Sequence, residues 1–258
     1  MTPPADDLHD YVYPPVIATA RAAFAAMGLR FTVTGADRVP RTGGAVMAIN
    51  HTGYLDFTFA GLAAVPSKRL VRFMCKEEIF EHPVAGPLMR GMHHIPVDRD
   101  AGMASYAAAL RALRAGEVVG VFPEATISRS LEVKDIKSGA VRLAASTGVP
   151  LLPTVIWGSQ RVWTKGRPKR FVGKRLPILV TIGEPMTVGR RDDHETAAVE
   201  LRTRMQTLLE GLQAAYPDVP RTPDDRWWLP ARLGGTAPTP DEAAALDEAD
   251  RVRRQSQP

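Results

Sequence analysis

The stretch AINHTGYLDF, residues 49–58, sets a histidine and an aspartate five positions apart, directly after a short apolar run. An imidazole with an unperturbed pKa of about 6.5 can take a proton from an alcohol near neutral pH. A carboxylate on its other ring nitrogen fixes the tautomer and stabilises the imidazolium. Five positions on a regular helix amount to roughly 500° of rotation, so His51 and Asp56 cannot face each other within one helix. They meet if His51 lies in the turn leaving an AVMAI strand and Asp56 lies in the first turn of the helix that follows, and Gly53 permits such a turn. A carboxylate there also sits favourably at the helix's positive end, so a capping role for Asp56 is physically sufficient on its own.

The elements that would position this pair are written in the apolar pattern. GGAVMAI (43–49), EVVGVF (117–122), PLLPTVIWG (150–158) and LPILVTIG (176–183) are short β-rich runs bounded by Gly or Pro, which predicts buried strands. Helical periodicity lies between them, over 57–64, over 105–115 with Tyr106, Leu110 and Leu113 on one side, and over 138–146. Strands alternating with helices predict an α/β fold with a mostly parallel central sheet flanked by helices. Leu201, Met205, Leu208, Leu209 and Leu212 mark a further helix over 195–215, and the core is expected to end near Tyr216.

Two flanking segments complete the expected division. In the N-terminal segment, 1–30, Val16, Ile17, Ala20, Ala23, Phe24 and Met27 describe one face of an amphipathic helix, begun by Pro14 and Pro15 and ended by Gly28. It docks on the core or lies on a membrane surface; its polar face carries only Arg21. After the central domain, 31–216, an extended Pro/Gly-rich C-terminal appendage is expected over 217–258. Trp227 and Trp228 anchor it to the core or to a membrane interface. DEAAALDEADRVRR can form a last helix, with Thr239 as cap and Pro240 at its first position.

Composition narrows the function classes. A formal charge of +5 and a pI near 9.5 favour anionic partners: nucleic acid, an acidic membrane surface or phosphorylated small molecules. Cys75 is the single cysteine, which excludes an intramolecular disulfide and a thiolate zinc cluster and fits a reducing compartment. The start, MTPPADDLHD, lacks the basic segment and apolar stretch of a secretory signal. The longest charge-free run, 143–160, is interrupted by Gly148, Pro150 and Pro153, where a spanning helix needs roughly 20 apolar residues. Integral insertion is not expected and surface attachment stays open. The adjacent His93 and His94 point to opposite faces of an extended chain, so no metal is expected there. RVWTKGRPKRFVGKR, 161–175, has seven basic and no acidic residues with Trp163 and Phe171 interleaved. It reads as a surface for anionic lipid head groups or coenzyme A phosphates, as a solvated hairpin, or as a nucleic-acid groove.

NHTGYLDF resembles the NHxxxxD motif of the glycerolipid acyltransferase family, whose best-known members are the 1-acylglycerol-3-phosphate acyltransferases. Three further blocks follow in the family's order. KEEIFEHPVAGPLMRGMHHIPVDR (76–99) is similar to its Lys, Pro/Gly and Gly-xxx-Ile-xxx-Arg block, and VFPEATIS (121–128) to its FPEGTRS block. IKSGAVRLAASTGVPLLPTVI (136–156) is similar to its Lys-x-Gly helix and Val-Pro-x-x-Pro strand. The resemblance covers about residues 45–160.

It implies transfer of a fatty acyl group from acyl-CoA or acyl carrier protein to the free hydroxyl of a lysophospholipid, with lysophosphatidic acid the leading acceptor. His51 would be the general base and Asp56 its orienter, with backbone amides near the turn holding the oxyanion. Lys76, Arg99, Glu124, Thr126, Arg129 and Lys137 would serve the acceptor, with Glu124 acting there or as an organiser of its loop rather than in proton transfer, and FTFAGLAAV (57–65) would line an acyl groove. No metal and no cofactor beyond the thioester co-substrate is implied. Where the family has the Arg and Gly of FPEGTRS, this chain has Ile127 and Ala125, which points also to a larger-headed lysophospholipid as acceptor. The expected setting is cytoplasmic, attached peripherally to the anionic inner face of the membrane, with no nucleic acid as partner. The rival from another class is a non-catalytic lipid- or nucleic-acid-binding protein on the same scaffold.

Overall fold

The computed structural model describes residues 10–98, 102–171 and 175–255. Its strands are β1 (Arg30–Thr34), β2 (Ala45–Ile49), β3 (Val71–Lys76), β4 (Ile95–Val97), β5 (Val118–Val121), β6 (Leu151–Trp157) and β7 (Pro177–Ile182). They form one sheet in the order β1-β7-β6-β2-β5-β3-β4. Every neighbouring pair is parallel except β6 and β7, which run antiparallel. The α/β expectation holds.

The central strand explains the layering. Every residue of β2 is buried, and period-two alternation sends Val46 and Ala48 to one face and Ala45, Met47 and Ile49 to the other. On the first face pack α5 (Gly102–Arg114), α6 (Gly139–Thr147) and α7 (His194–Ala214). On the second packs α2 (Asp56–Ala64), whose Phe59, Ala60, Ala63 and Ala64 fill the core. α1 (Tyr13–Ala26) docks over α2: the Phe24 and Phe59 rings lie 4.9 Å apart, and the Tyr13 hydroxyl donates to the Val71 carbonyl at 2.7 Å. The two short helices α3 (Glu77–Glu81) and α4 (Ala85–Gly91) lie between β3 and β4. Among the described residues no helix is long and apolar enough to cross a membrane.

β1, β3 and β4 were not expected from the pattern, for separable reasons. β1 is an edge strand with mostly exposed side chains, and β4 spans three residues. β3 carries Arg72 at 2% exposure, sustained by Asp10, Glu117 and the Met92 carbonyl.

Buried residues of the core also occur past Tyr216. Trp227, Trp228 and Ala237 join the cluster formed by Trp157, Leu209 and Tyr216. Arg161 stacks 4.4 Å over Trp228 and bonds Asp218 at 2.6 Å, so this member of the basic stretch is an interior residue. The chain then forms α8 (Pro240–Gln255), opened by a reciprocal capping box: the Thr239 amide donates to Glu242 and the Glu242 amide to the Thr239 hydroxyl.

Candidate active site

Asn50 extends the β2–β6 ladder by one step, accepting from the Ile156 amide at 2.7 Å and donating to the Ile156 carbonyl at 3.1 Å. The chain then leaves the sheet at the carboxyl end of β2, the edge where open α/β sheets place ligands. Residues 51–55 form a tight turn packed so closely on the next loop that a Cβ at Gly53 would lie 3.0 Å from the backbone of Ser159. Asp56 opens α2 and reaches back over this turn. Its Oδ2 accepts from the Thr52 amide at 2.7 Å, the Gly53 amide at 2.8 Å and His51 Nδ1 at 3.0 Å. Asp56 is fully buried, and the His51 side chain is 21% exposed.

This arrangement decides the tautomer. A carboxylate oxygen can only accept, so Nδ1 carries the proton and Nε2 carries the lone pair. The His51 ring lies against Phe122 with centroids 4.4 Å apart, which fixes its plane. Asp56 therefore both organises the turn and orients the imidazole.

A second loop holds His51 by its backbone. After β5, buried Glu124 accepts the His51 amide at 3.0 Å through Oε1 and the Lys134 amide at 3.4 Å through Oε2. The Ser128 amide donates to the His51 carbonyl at 2.7 Å. Ala125, at the position of the family's glycine, takes a left-handed φ of 62°, a conformation that glycine adopts without steric cost. Thr126 Oγ1 accepts from Lys134 Nζ at 2.7 Å, and Ile127 is buried at 6% exposure.

Burial pushes the Glu124 carboxyl up to about 8, against the opposing pull of the His51 amide, the Lys134 amide and the Lys134 charge. Between about pH 5 and pH 8 the folded chain keeps a proton that the unfolded chain releases. The fold then loses up to about 1.4 kcal/mol per pH unit across that window and levels off above it. Glu124→Gln is expected to flatten this slope while its carbonyl keeps the bond from the His51 amide and its NH2 gives up the weaker one from Lys134, and urea unfolding of both proteins from pH 5.5 to 8.5 checks it. Glu124→Ala leaves two part-buried amides without an acceptor and is expected to cost about 1–3 kcal/mol. Parallel pH profiles for wild type and Glu124→Gln would contradict the assignment.

The remaining expected residues fall as follows. Lys76 ends β3, at the same carboxyl edge of the sheet as His51 and Glu124, and is exposed. Lys137 is exposed, with its amide on the Pro123 carbonyl. Arg99 lies outside the described residues. Arg129 is engaged by Asp250 at 2.6 Å and Asp247 at 3.5 Å. The amides of His51, Thr52, Gly53 and Tyr54 are all taken by Glu124, Asp56 and the Trp163 carbonyl, so in this conformation these four are not available to an oxyanion. FTFAGLAAV gives its Phe59, Ala60, Ala63 and Ala64 side chains to the core, which removes them from any groove. His94 accepts from the Phe73 amide, and burial lowers its pKa to about 4 with Arg72 and His93 adding to the effect. Among the described residues no group of three or more His, Cys, Asp or Glu is placed to hold a metal ion.

Sequence reasoning missed Lys134. It also missed how the 161–175 segment joins the site: the Thr164 hydroxyl donates to the Thr52 carbonyl at 2.7 Å, and Trp163 stacks on Tyr54 at 4.6 Å. Lys169 sits 4.2 Å over Trp163, and Arg167 and Arg170 each 5.3 Å over Trp227.

The family model described as Acyltransferase matches residues 30–157. A Bacillus subtilis protein named 1-acyl-sn-glycerol-3-phosphate acyltransferase is 31% identical over 144 residues, 54% of this chain and 70% of that one. A Limnanthes douglasii protein of the same name is 28% identical over 176 residues, 65% of this chain and 60% of its own length. The crystal structure of the 1-acyl-sn-glycerophosphate acyltransferase PlsC from Thermotoga maritima superposes with a TM-score of 0.67 over 81% of this chain and 82% of that one. At 22% identity that likeness speaks for the fold.

Proposed function

Because the chain belongs to the glycerolipid acyltransferase family, a family of O-acyltransferases, we propose that it acylates the free hydroxyl of lysophosphatidic acid from acyl-CoA or acyl carrier protein, giving phosphatidic acid. The relatives' names support the acceptor. The observation that carries the mechanism is the contact between His51 Nδ1 and buried Asp56, which leaves the Nε2 lone pair as proton acceptor. Nε2 takes the hydroxyl proton as the acceptor oxygen attacks the thioester carbonyl. The tetrahedral intermediate collapses with loss of the thiolate, which recovers the proton from the imidazolium. The substrate hydroxyl stands where a catalytic serine would, and the thioester is already activated, so no acyl-enzyme is required.

A second reading has a specific observation behind it. Ile127 is buried where the family carries an arginine, so the acceptor's phosphate lacks that partner and a larger-headed lysophospholipid is the alternative acceptor. In both readings the protein works at the inner face of an anionic membrane. Exposed Arg167, Lys169 and Arg170 beside the site each contribute about 1 kcal/mol there. Thiol release from a long-chain acyl-CoA by the purified protein, with lysophosphatidic acid and a panel of larger-headed lysophospholipids, separates the two. Release with lysophosphatidic acid is expected; release confined to the larger acceptors would transfer the assignment to them.

A further inference from the structure

α8 docks without an apolar stripe. A helix on a protein surface usually buries hydrophobic residues at i, i+4 and i+7, and here that register holds Ala243, Asp247 and Asp250. Among the helix's described side chains Ala243 alone is buried, while Leu246 and Val252 face solvent. Charge holds the helix instead. Asp247 pairs with Lys134 at 2.5 Å, Lys165 at 3.2 Å and Arg129 at 3.5 Å, and Asp250 with Arg129 at 2.6 Å and Lys165 at 2.7 Å. Burial acts to raise the Asp247 carboxyl, and Lys134 and Lys165 more than offset it. Lys165, Arg129 and Arg253 hold Asp250 well below the usual carboxylate range.

The three cations come from the two loops that grip the catalytic turn. Arg129 and Lys134 belong to the loop bonded to His51 through Glu124 and Ser128, and Lys134 Nζ also reaches Thr126. Lys165 follows Thr164, whose hydroxyl sits on the Thr52 carbonyl. What they hold is a pair of carboxylates: two negative charges on adjacent acceptor oxygens. A phosphomonoester carries about −1.5 to −2 charge on three acceptor oxygens and matches that demand closely. The side chains in these pairs are only 14–23% exposed, so salt screens them less than surface pairs, but solvent still reaches them and an anionic ligand of matching charge can compete for the same cations.

On the acceptor reading given above, we propose that Arg129, Lys134 and Lys165 form the phosphate site for a phosphomonoester lipid acceptor, and that Asp247 and Asp250 of α8 occupy it until the acceptor displaces them. The site replaces the arginine that Ile127 removes from the family block. α8 acts as an internal competitor that lowers apparent acceptor affinity by the fraction of chains in which it is docked.

The test uses the full chain carrying His51→Ala, without acyl donor, so that binding is read apart from turnover. Hydrogen exchange of the amides in 243–253 is followed with short-chain lysophosphatidic acid below its micelle concentration, with phosphatidylglycerol vesicles, and with sodium chloride at matched ionic strength. Lysophosphatidic acid is expected to accelerate exchange about tenfold beyond chloride. In the otherwise unaltered chain, Asp247→Asn with Asp250→Asn is expected to give fast exchange without ligand and to lower KM for lysophosphatidic acid about threefold to tenfold, with kcat unchanged. Exchange no faster than in chloride, or a response to vesicles alone, would overturn the site. Displacement of α8 by lysophosphatidic acid supports the site even if no acceptor is acylated. Turnover of lysophosphatidic acid with α8 unmoved refutes the site and leaves the reaction standing.

Discussion

Replacing His51 by alanine is expected to lower acyl transfer to lysophosphatidic acid by at least about 10³-fold, about 4 kcal/mol of transition-state stabilisation, with little change in the fold. The loss is large because the ring supplies the only proton acceptor that the turn presents in a fixed tautomer. Stability changes little because the structural bonds at this position come from the backbone: the amide to Glu124 and the carbonyl from Ser128, both of which alanine retains. Thiol release together with a urea unfolding curve checks both halves. Wild-type turnover by a folded His51→Ala protein would remove the histidine from the mechanism.

Asp56→Asn is expected to cost nearly as much, about 10³- to 10⁴-fold, for a different reason. One oxygen of Asp56 takes all three bonds, from Thr52, Gly53 and His51 Nδ1, and an asparagine carbonyl in its place can still accept them, so the turn is kept. What is lost is the negative charge beside the ring: a neutral amide holds Nδ1 less firmly and does not stabilise the imidazolium that forms as the hydroxyl proton is taken. Nitrogen-15 spectra of the imidazole report which nitrogen carries the proton. A variant that keeps Nε2 unprotonated and loses activity is the expected result, and a variant with the proton moved onto Nε2 would mean that Asp56 acts through orientation instead.

How much of this was legible in the sequence follows from the range of each interaction. β2 and β6 are buried on both faces and announce themselves as unbroken apolar runs. β3 does not, because Arg72 sits in VRFMCK and is tolerated only through Asp10 and Glu117, partners at separations of 62 and 45 residues. The His51–Asp56 contact closes over five residues and can be derived from turn and helix geometry. Glu124 reaches His51 across 73 residues and Arg129 reaches Asp250 across 121, and no spacing rule carries such contacts. One signal was present: two acids and an alanine in the register where a docked helix shows apolar residues. Trp227 and Trp228 likewise told of an anchor, and the fold shows that they anchor the chain inside the core.

The claim that His51 activates the acceptor directly, with no acylated side chain between donor and product, is tested most sharply by rapid mixing of enzyme with long-chain acyl-CoA in the absence of any acceptor. The account predicts no burst of free thiol, followed by release in step with phosphatidic acid once lysophosphatidic acid is added. A burst stoichiometric with enzyme before the acceptor arrives would reveal an acyl-enzyme and contradict it.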